Sequence, residues 1–375
     1  MSYIVKIYTP QELNHSSYIQ TGLFELERDS FLKTKVTLSF SKRFGVIKVL
    51  NSSVETYHQP HPKTSFYQLI DTETGKKINF ATDLYDASNS FSKYALDHCD
   101  YVFKRNYNKK EVSQLEPFYQ NKIVPLGLTF RVQSSNKKQE YKFFIGLLLS
   151  GLRIGFKIDK SFFSRLKKIY TKQIKHWKSA KTSRNIKEFE QNESSKGDFI
   201  LFQTRCFFHE NEQTVKEIHT TRYQIILLLR EKFPSLFKGG FIPSTLVNQK
   251  YADAITNLKT DPKSYLDLVK KSKIAIYTKG IQNSPAWKMA EYLSQGKVVI
   301  AERITTDLPI PLENQKQVLF FDTIDEIPEI CEKVLNDEQL SDNLSKNGRL
   351  YYENVISPKV NVMRIIDFML KNHKK

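Results

Sequence analysis

The sequence predicts an α/β protein with two Rossmann-like domains and a basic helical insertion between them. Three observations lead to this fold. Short apolar runs alternate with amphipathic helical segments in both halves of the chain, which favours mostly parallel sheets covered by helices. A length of 375 residues is enough for two domains that each bury a core. Between the two halves lies a segment with a large excess of positive charge.

The first predicted domain covers residues 1–135. Its pattern predicts strands at 5–8, 36–38, 46–50 and 101–103, helices at 18–28, 90–99 and 109–119, and a hairpin of strands 66–70 and 77–80. The hairpin is expected because the tripeptide Glu73-Thr74-Gly75 is typical of a turn.

The second predicted domain covers residues 197–356. It repeats the alternation, with strands at 199–202, 274–277, 298–301 and 318–321 and helices at 215–232, 265–271, 324–335 and 338–353. A last helix within residues 357–375 opens at Pro358.

The middle segment, residues 136–196, carries most of the net charge of +18. Residues 132–196 hold 16 Lys and Arg against 5 Asp and Glu, a net charge of +11. Within residues 143–178, lysines alternate with aromatic and aliphatic residues at helical spacing, a pattern typical of a helix that lies on an anionic membrane. The alternative is an insertion that packs its apolar face on the protein and leaves its lysines in water.

Residues 270–302 contain a βαβ unit. Ile274–Tyr277 reads as a buried strand, Ser284 and Pro285 suit the N-cap and first position of a helix, and Gly296 ends that helix before a second strand. A helix N-terminus at the end of a strand favours an anion such as a diphosphate, because its N–H groups lack partners and carry a positive partial charge.

This stretch resembles the donor-binding element of Leloir glycosyltransferases with the GT-B architecture. The matching residues are Glu291, Gly296, Lys297 and Val298. The resemblance implies two Rossmann-like domains facing a cleft, a nucleotide-sugar donor, no metal cofactor, and Glu291 bound to the donor ribose. It also implies that the domain of residues 1–135 lies on the acceptor side and that the last helix, within residues 357–375, crosses back to that domain. Asn283 stands where many retaining members have a second acidic residue, so the retaining pattern is absent. The likeness extends over residues 197–356, and residues 1–135 share with the family only the alternation of strands and helices.

Glycosyl transfer from such a donor requires cations at the leaving diphosphate. Arg205, Lys279 and Lys288 are the candidates for that role. The complete predicted donor site is Arg205, Lys279, Gly280, Asn283, Ser284, Lys288 and Glu291. Alternatively, Arg205 belongs to a structural network with Glu210, Glu217 and Arg222.

A general base is expected in the first domain, in the loop that follows residues 77–80. Asp83 and Asp86 are the predicted catalytic residues, and the alternative is that both are turn or N-cap residues. On the acceptor side we also place His58, His61, Lys104 and Arg105. The spacing of the two histidines suits a metal, but flanking prolines and the lack of further ligands favour a solvated loop, so no metal is predicted.

Together these features predict a cytoplasmic glycosyltransferase of the hexosyl or pentosyl type, peripheral on the inner membrane face. Its donor is a nucleotide-diphosphate or CMP sugar, and its acceptor is a glycan or lipid-linked molecule of surface polysaccharide synthesis. No apolar run is long enough to span a bilayer. Nucleic acid is not an expected partner, because no binding motif accompanies the charge. The alternatives are a basic nucleic-acid-binding protein, and an epimerase or polyol-phosphate transferase on a similar frame.

Overall fold

The computed structural model describes residues 2–9, 11–38, 43–137, 182–191, 197–208 and 210–373, together with positions 142, 145, 146, 149, 161–164, 167, 171, 174, 175 and 178. The chain forms two compact units. The first comprises Met1–Glu188, Asp307–Pro309 and Ile356–Lys375, and the second comprises Phe189–Thr306 and Ile310–Val355.

Six strands follow one another between residues 32 and 92, and elsewhere in the described residues strands mostly alternate with helices. The strands are β1 (Tyr3–Thr9), β2 (Leu32–Leu38), β3 (Phe44–Leu50), β4 (Ser53–Pro60), β5 (Thr64–Asp71), β6 (Lys77–Asp83), β7 (Ser90–Ser92), β8 (Tyr101–Lys104), β9 (Ile123–Pro125), β10 (Ile200–Thr204), β11 (Phe237–Phe241), β12 (Ile274–Tyr277), β13 (Val298–Glu302) and β14 (Leu319–Phe321). The helices of the described residues outside 138–181 are α1 (Leu13–Arg28), α2 (Lys93–His98), α3 (Lys109–Val112), α4 (Pro117–Gln120), α5 (Ile186–Glu190), α6 (Gln213–Lys232), α7 (Thr245–Lys250), α8 (Pro262–Lys271), α9 (Lys288–Ser294), α10 (Ile327–Asn336), α11 (Glu338–Tyr351) and α12 (Pro358–Asn372).

The first unit contains a six-stranded sheet with the order β2-β1-β5-β6-β8-β9. Strands β1, β2, β6, β8 and β9 run in one direction, and β5 runs in the other. The predicted hairpin is confirmed as β5 and β6, and Gly75 in its turn has a φ of +72°, which favours glycine. A separate antiparallel sheet has the order β4-β3-β7, so the first unit departs from a purely parallel arrangement.

The second unit contains a parallel sheet with the order β11-β10-β12-β13-β14. All residues of β10 and β12 are buried, as expected of strands covered by helices on both faces. The apolar core includes Ile200, Ile225 and Ile300. The α/β fold predicted from the alternating pattern is confirmed.

The last helix, α12, belongs to the first unit and packs against α1. The Asn361 side-chain amide donates to the Tyr18 hydroxyl (3.0 Å) and to the Leu126 carbonyl oxygen (3.1 Å). Gly22 of α1 permits this close approach, because a Cβ at that position would lie 2.3 Å from the carbonyl oxygen of Pro358. A methyl group at position 22 would therefore push the two helices apart.

The predicted amphipathic segment 143–178 lies largely outside the described residues. Among its described positions, the side chains of Phe163 and Ile174 are exposed (79% and 43%), as is Lys167. Within the parts of the chain that the structure describes, every helix is too short or too polar to cross a bilayer.

Candidate functional site

Three strands of the second unit, β10, β12 and β13, lie side by side and end at the same edge of the sheet. Ligands of parallel α/β sheets commonly bind at such an edge, where the strands end and the loops begin. The loop after β10 begins with Arg205, and the loop after β12 carries Lys279, Gly280 and Asn283. The sheet topology therefore brings most of the predicted donor residues to one edge.

Arg222 of α6 holds two of these loops together. Its guanidinium donates to the backbone oxygens of Arg205 (2.8 Å) and Lys279 (2.9 Å), and its Nε donates to the Thr278 hydroxyl (3.1 Å). Burial lowers the pKa of Arg222 to about 10. Since carbonyl oxygens carry only partial charge, the positive charge of Arg222 is hydrogen-bonded without being cancelled.

The expected ion network of Arg222 with glutamates does not include Glu210. The Glu210 carboxylate accepts a hydrogen bond from His219 Nδ1 (2.7 Å) and another from the Tyr251 hydroxyl (2.8 Å). His219 Nε2 in turn accepts from the Phe207 backbone N–H (2.8 Å), so the ring is held as the neutral Nδ1–H tautomer. This network anchors the loop after β10 on α6 and leaves Arg205 exposed.

Lys288 is the first residue of α9. Its ammonium donates to the Gln203 carbonyl oxygen, at the end of β10, and lies 5.0 Å from the centroid of the Tyr265 ring. Burial, together with the guanidinium groups of Arg222 and Arg205, lowers the pKa of Lys288 to about 7. An anion bound here would relieve the repulsion among these three cations.

Glu291 lies in the first turn of α9 and is 4% exposed. Its negative charge favours the ammonium form of Lys288, whereas the guanidinium groups of Arg222 and Arg205 disfavour it. A carboxylate and an ammonium that lie together in this way can bind a ligand with both hydroxyl and anionic groups, since one accepts hydrogen bonds and the other donates them.

Lys279 is already paired with a carboxylate that sequence reasoning missed. Its ammonium forms a salt bridge with Oε1 of Glu302 (2.9 Å), and its backbone N–H donates to Oε2 of the same residue (2.9 Å). Glu302 ends β13, so the ion pair follows from strand order rather than from any local pattern. An anion would have to compete with Glu302 for Lys279.

The structure contradicts the predicted helix start at Ser284 and Pro285. Residues 281–283 form a 3₁₀ turn in which Asn283 has a φ of +55°, and α9 begins only at Lys288. The Gly280 N–H donates to the Ser284 carbonyl oxygen (2.9 Å), and the Ala286 N–H donates to the Tyr277 hydroxyl (2.9 Å). The Ser284 carbonyl oxygen, which would accept the first hydrogen bond of a helix capped there, thus accepts from the preceding turn, and Ser284 does not cap α9.

In the first unit, the predicted base Asp83 ends β6 and is completely buried. It forms a salt bridge with the equally buried Lys104 at 3.2 Å, and His61 Nε2 lies 3.9 Å from the same oxygen. The Lys104 ammonium also donates to the carbonyl oxygens of Ala87 and Ser90, and burial lowers its pKa. This geometry does not place Asp83 or Lys104 where either could contact a substrate.

Asp86 lies at the same sheet edge and is more accessible, with 28% of its side chain exposed. Its carboxylate pairs with Lys63 (2.5 Å) and with Arg105. Burial acts to raise the pKa of Asp86, but the positive charges of Arg105 and Lys63 outweigh it and hold the pKa below its usual range. Asp86 is consequently a weak proton acceptor near neutral pH.

The two histidines predicted on the acceptor side lie in different surroundings. His58 is on β4, is exposed, and stacks on Phe44 with 5.1 Å between ring centroids. His61 is buried, its Nδ1 lies 2.8 Å from the Thr64 hydroxyl, and burial lowers its pKa. The described residues contain no group of three or more His, Cys, Asp or Glu side chains that could hold a metal.

Sequence reasoning missed a histidine–carboxylate pair at the start of α1. Glu12 is the N-cap: its carboxylate accepts from the N–H groups of Asn14 (3.1 Å) and His15 (3.0 Å) and lies 2.7 Å from His15 Nδ1. Burial would raise the pKa of Glu12, but these hydrogen bonds and the His15 charge lower it to about 2. An ionised carboxylate only accepts, so Nδ1–H donates and Nε2 is the basic nitrogen of the neutral ring.

Glu12 and His15 follow the carboxyl end of β1, at the edge where β6 and β8 also end. The charge of His15 acts on Asp86, which places the two side chains near one another. The spacing Glu-x-x-His directly after a strand was the available signal. The same spacing is typical of an ordinary helix N-cap, and no local sequence pattern indicates that residues of other strands lie near His15.

No protein-family model matches the chain, and no curated protein matches it. Among solved structures, the co-structure of S. aureus MnaA with UDP has a TM-score of 0.41 and 14% identity, over 98% of this chain and 95% of that one. The UDP-GlcNAc 2-epimerase from Neisseria meningitidis bound to UDP-GlcNAc has a TM-score of 0.38 and 16% identity, over 75% of this chain and 64% of that one.

A third solved structure, the C-terminal domain of the glycosyl transferase group 1 family protein LpcC from Francisella tularensis, has a TM-score of 0.31 and 13% identity. It covers 46% of this chain and 93% of that chain. All three TM-scores lie below 0.5.

Proposed function

We propose that the protein is a glycosyltransferase that moves a sugar from a nucleotide-diphosphate donor to a hydroxyl group of a glycan or lipid-linked acceptor. The observation that carries this proposal is the cation group of the second unit, in which Lys288, Arg222 and Arg205 lie close enough to perturb one another beside the buried Glu291. Such a group stabilises the charge that develops on a leaving diphosphate.

In this proposal the second unit binds the donor. Lys288 and Arg205 contact the diphosphate, Arg222 holds the two loops at the sheet edge, and Glu291 accepts hydrogen bonds from the ribose hydroxyls. The arrangement does not require a metal, because the two contacting cations supply positive charge where a divalent cation would otherwise act.

We assign the acceptor to the first unit, with His15 as the general base. His15 Nε2 takes the proton of the acceptor hydroxyl, and Glu12 stabilises the imidazolium that forms. The acceptor oxygen forms a bond to the anomeric carbon while the bond from that carbon to the diphosphate breaks. A single displacement of this kind inverts the anomeric configuration, in keeping with Asn283 at the position of the second acidic residue of retaining enzymes.

The direct test is to incubate the protein with UDP-, GDP- and CMP-sugars in the presence of an extract of lipid-linked and soluble glycans. The proposal predicts release of one nucleotide only when the acceptor extract is present, and loss of that release in Glu291→Gln. Conversion of the sugar nucleotide without an acceptor would instead indicate an epimerase. Salt-sensitive binding of single-stranded DNA without any nucleotide response would indicate a nucleic-acid-binding protein.

We further propose that residues 143–178 attach the enzyme to an anionic membrane. The net charge of +11 in residues 132–196 and the exposure of Phe163 and Ile174 support this role, since each cation near such a surface contributes about 1 kcal/mol. Replacing Lys167, Lys168, Lys172 and Lys175 with glutamine should weaken binding to vesicles of 30% phosphatidylserine and leave nucleotide binding intact. Equal vesicle binding by both proteins would contradict the membrane role.

A further inference from the structure

The carboxylate of Glu302 binds two donors of a single residue in the loop after β12. Its Oε1 forms a salt bridge with the Lys279 ammonium (2.9 Å), and its Oε2 accepts a hydrogen bond from the Lys279 backbone N–H (2.9 Å). Ammonium groups and backbone N–H groups are also the donors that phosphate oxygens take in proteins. Glu302 therefore contacts Lys279 in the way that a bound anion would.

The pairing of β12 with β13 explains why Glu302 reaches this loop. The two strands are parallel, and Tyr277 lies opposite Ala301. The residues that follow, Thr278 and Glu302, consequently lie at the same edge of the sheet, and Lys279 comes next in the chain. This edge is where ligands of parallel α/β sheets commonly bind.

Lys279 lies beside the two cations that are proposed to contact the diphosphate. The guanidinium of Arg222 donates to the backbone oxygens of both Lys279 (2.9 Å) and Arg205 (2.8 Å), so these two segments of backbone lie side by side. The Lys288 ammonium donates to the carbonyl oxygen of Gln203, two residues before Arg205. Because its side chain is long and flexible, Lys279 can extend to an anion that Arg205 and Lys288 bind.

The Lys279–Glu302 pair is accessible, unlike the Lys104–Asp83 pair of the first unit. The side chains of Lys279 and Glu302 are 19% and 26% exposed, whereas those of Lys104 and Asp83 are at most 1% exposed. A partly exposed ion pair contributes little to stability, because water competes for both groups. Exchanging Glu302 for another anion therefore costs the protein little free energy.

The backbone of the same loop is strained. Gln282 and Asn283 both have a positive φ (54° and 55°), although neither is a glycine. Such conformations persist where surrounding contacts hold them, and they are common at ligand-binding loops. The hydrogen bonds of Glu302 and Arg222 to the Lys279 backbone hold the start of this loop. Loss of the Glu302 contact would remove part of that support and permit the loop to move.

We propose that Glu302 competes with the donor diphosphate for Lys279. In the free protein Glu302 holds the ammonium, the bound diphosphate replaces Glu302, and Glu302 binds Lys279 again as the nucleotide leaves. This inference rests on the proposed function and adds a regulatory role for Glu302, which lowers the affinity for the nucleotide and speeds its release after sugar transfer. Product release limits the turnover of many enzymes.

The test compares the wild type with Glu302→Gln, which removes the charge and keeps the shape of the side chain. In calorimetric titration with UDP, GDP and inorganic pyrophosphate, the variant should bind the responding diphosphate about tenfold more tightly, because a competing charge-assisted contact is lost. In stopped-flow displacement of the fluorescent mant-nucleotide, release should be about tenfold slower, and association should change by about twofold or less. Glu313→Gln, which removes an exposed pair with Lys316, is the matched control and should behave like the wild type.

The rate that changes identifies the cause of the tighter binding. A carboxylate that only repels the anion at long range acts mainly on association. Faster association with unchanged release would therefore overturn the inference, as would equal affinity in Glu302→Gln and the wild type. If Glu302→Gln melts at a lower temperature than the wild type, Glu302→Asp replaces it, since the shorter side chain keeps the charge but retracts from Lys279. Slower release is expected in that variant, and release at the wild-type rate would overturn the inference.

These results distinguish the role of Glu302 from the donor site itself. If the wild type binds a nucleoside diphosphate, Glu291→Gln binds it more weakly and Glu302→Gln releases it at the wild-type rate, the donor site stands and the competition is excluded. If the wild type binds neither nucleotide nor pyrophosphate, both proposals are overturned. In a crystal structure of the nucleotide complex, Lys279 Nζ should contact a phosphate oxygen instead of Glu302, and an intact salt bridge would contradict the inference.

Discussion

The charged edges of the two units hold their cations in different ways. In the second unit, Arg222 and Lys288 donate to backbone carbonyl oxygens, so hydrogen bonding orients their charge without cancelling it. In the first unit, Lys104 forms a salt bridge with Asp83, and Arg105 forms one with Asp86. The strand-end cations there are thus largely neutralised by carboxylates.

This difference separates two kinds of chemistry. A site with uncancelled positive charge can stabilise a leaving diphosphate, because the anion supplies the charge that is missing. A more balanced site suits a group that takes a proton from an uncharged hydroxyl, and His15 is held there by Glu12.

Replacing the proposed base should have the largest effect. His15→Gln is expected to lower the turnover number by about 10²- to 10⁴-fold, because the proposed general base is removed. Nucleotide affinity should be unchanged, since the second unit is unaltered. Steady-state kinetics and calorimetric titration measure the two quantities. The control is His58→Gln on the exposed strand β4, which should turn over like the wild type. Wild-type turnover in His15→Gln would contradict the assignment.

The buried pair of the first unit should affect stability. Lys104→Met leaves Asp83 buried without its cation, which is expected to lower the free energy of unfolding by about 3–5 kcal/mol. Urea denaturation measures the change. Lys93→Met removes a half-exposed pair with Asp97 and provides the matched control, with an expected loss of about 1 kcal/mol or less. Equal losses in the two variants would mean that burial does not distinguish these pairs.

In the second unit, the cation held by a carbonyl oxygen should matter more for nucleotide binding than the cation held by a carboxylate. Lys288→Met is expected to weaken nucleotide-diphosphate binding by about 10- to 100-fold, as a charge-assisted hydrogen bond is lost. Lys279→Met should have a smaller effect, because its ammonium is already paired with Glu302. Calorimetric titration of both variants measures the two losses of nucleotide affinity. A larger loss in Lys279→Met than in Lys288→Met would contradict the prediction.

The pKa of Lys288, about 7, predicts opposite pH trends for binding and stability. Nucleotide affinity should fall as the pH rises above 7, because the ammonium loses its proton. Stability should rise over the same range relative to Lys288→Met, by at most about 1.4 kcal/mol per pH unit, because the unfolded chain keeps the lysine proton up to pH 10.5. Parallel urea unfolding of both proteins at pH 7 and pH 9 measures this difference. A pH-independent difference would show that Lys288 keeps its ordinary pKa.

Sequence patterns predicted the parts of the fold that depend on local periodicity. The strand at 274–277, the hairpin around Gly75 and the parallel sheet of the second unit follow from apolar runs and turn residues. The helix start at Ser284 was wrong because residues 281–283 form a 3₁₀ turn in which the Gly280 N–H donates to the Ser284 carbonyl oxygen. No propensity scale includes such a contact.

The candidate site was harder to predict, because its contacts join distant strands. Asp83 looked like a loop carboxylate, and only the pairing of β6 with β8 shows that Lys104 neutralises it. The partner of His15 is local, but its neighbours at the sheet edge come from segments tens of residues away. Charge type could be read from the sequence, whereas burial and pairing required the sheet order.

Calorimetric titration of the wild type and of Glu291→Gln with UDP, GDP and CMP tests whether the sheet edge of the second unit binds a nucleotide donor. We predict that one nucleoside diphosphate binds the wild type with a stoichiometry of one. Its affinity should fall about tenfold or more in Glu291→Gln, which removes the carboxylate that accepts from the ribose. Absence of binding by any of the three nucleotides, or equal affinity in the two proteins, would contradict a donor site at the edge of the second sheet.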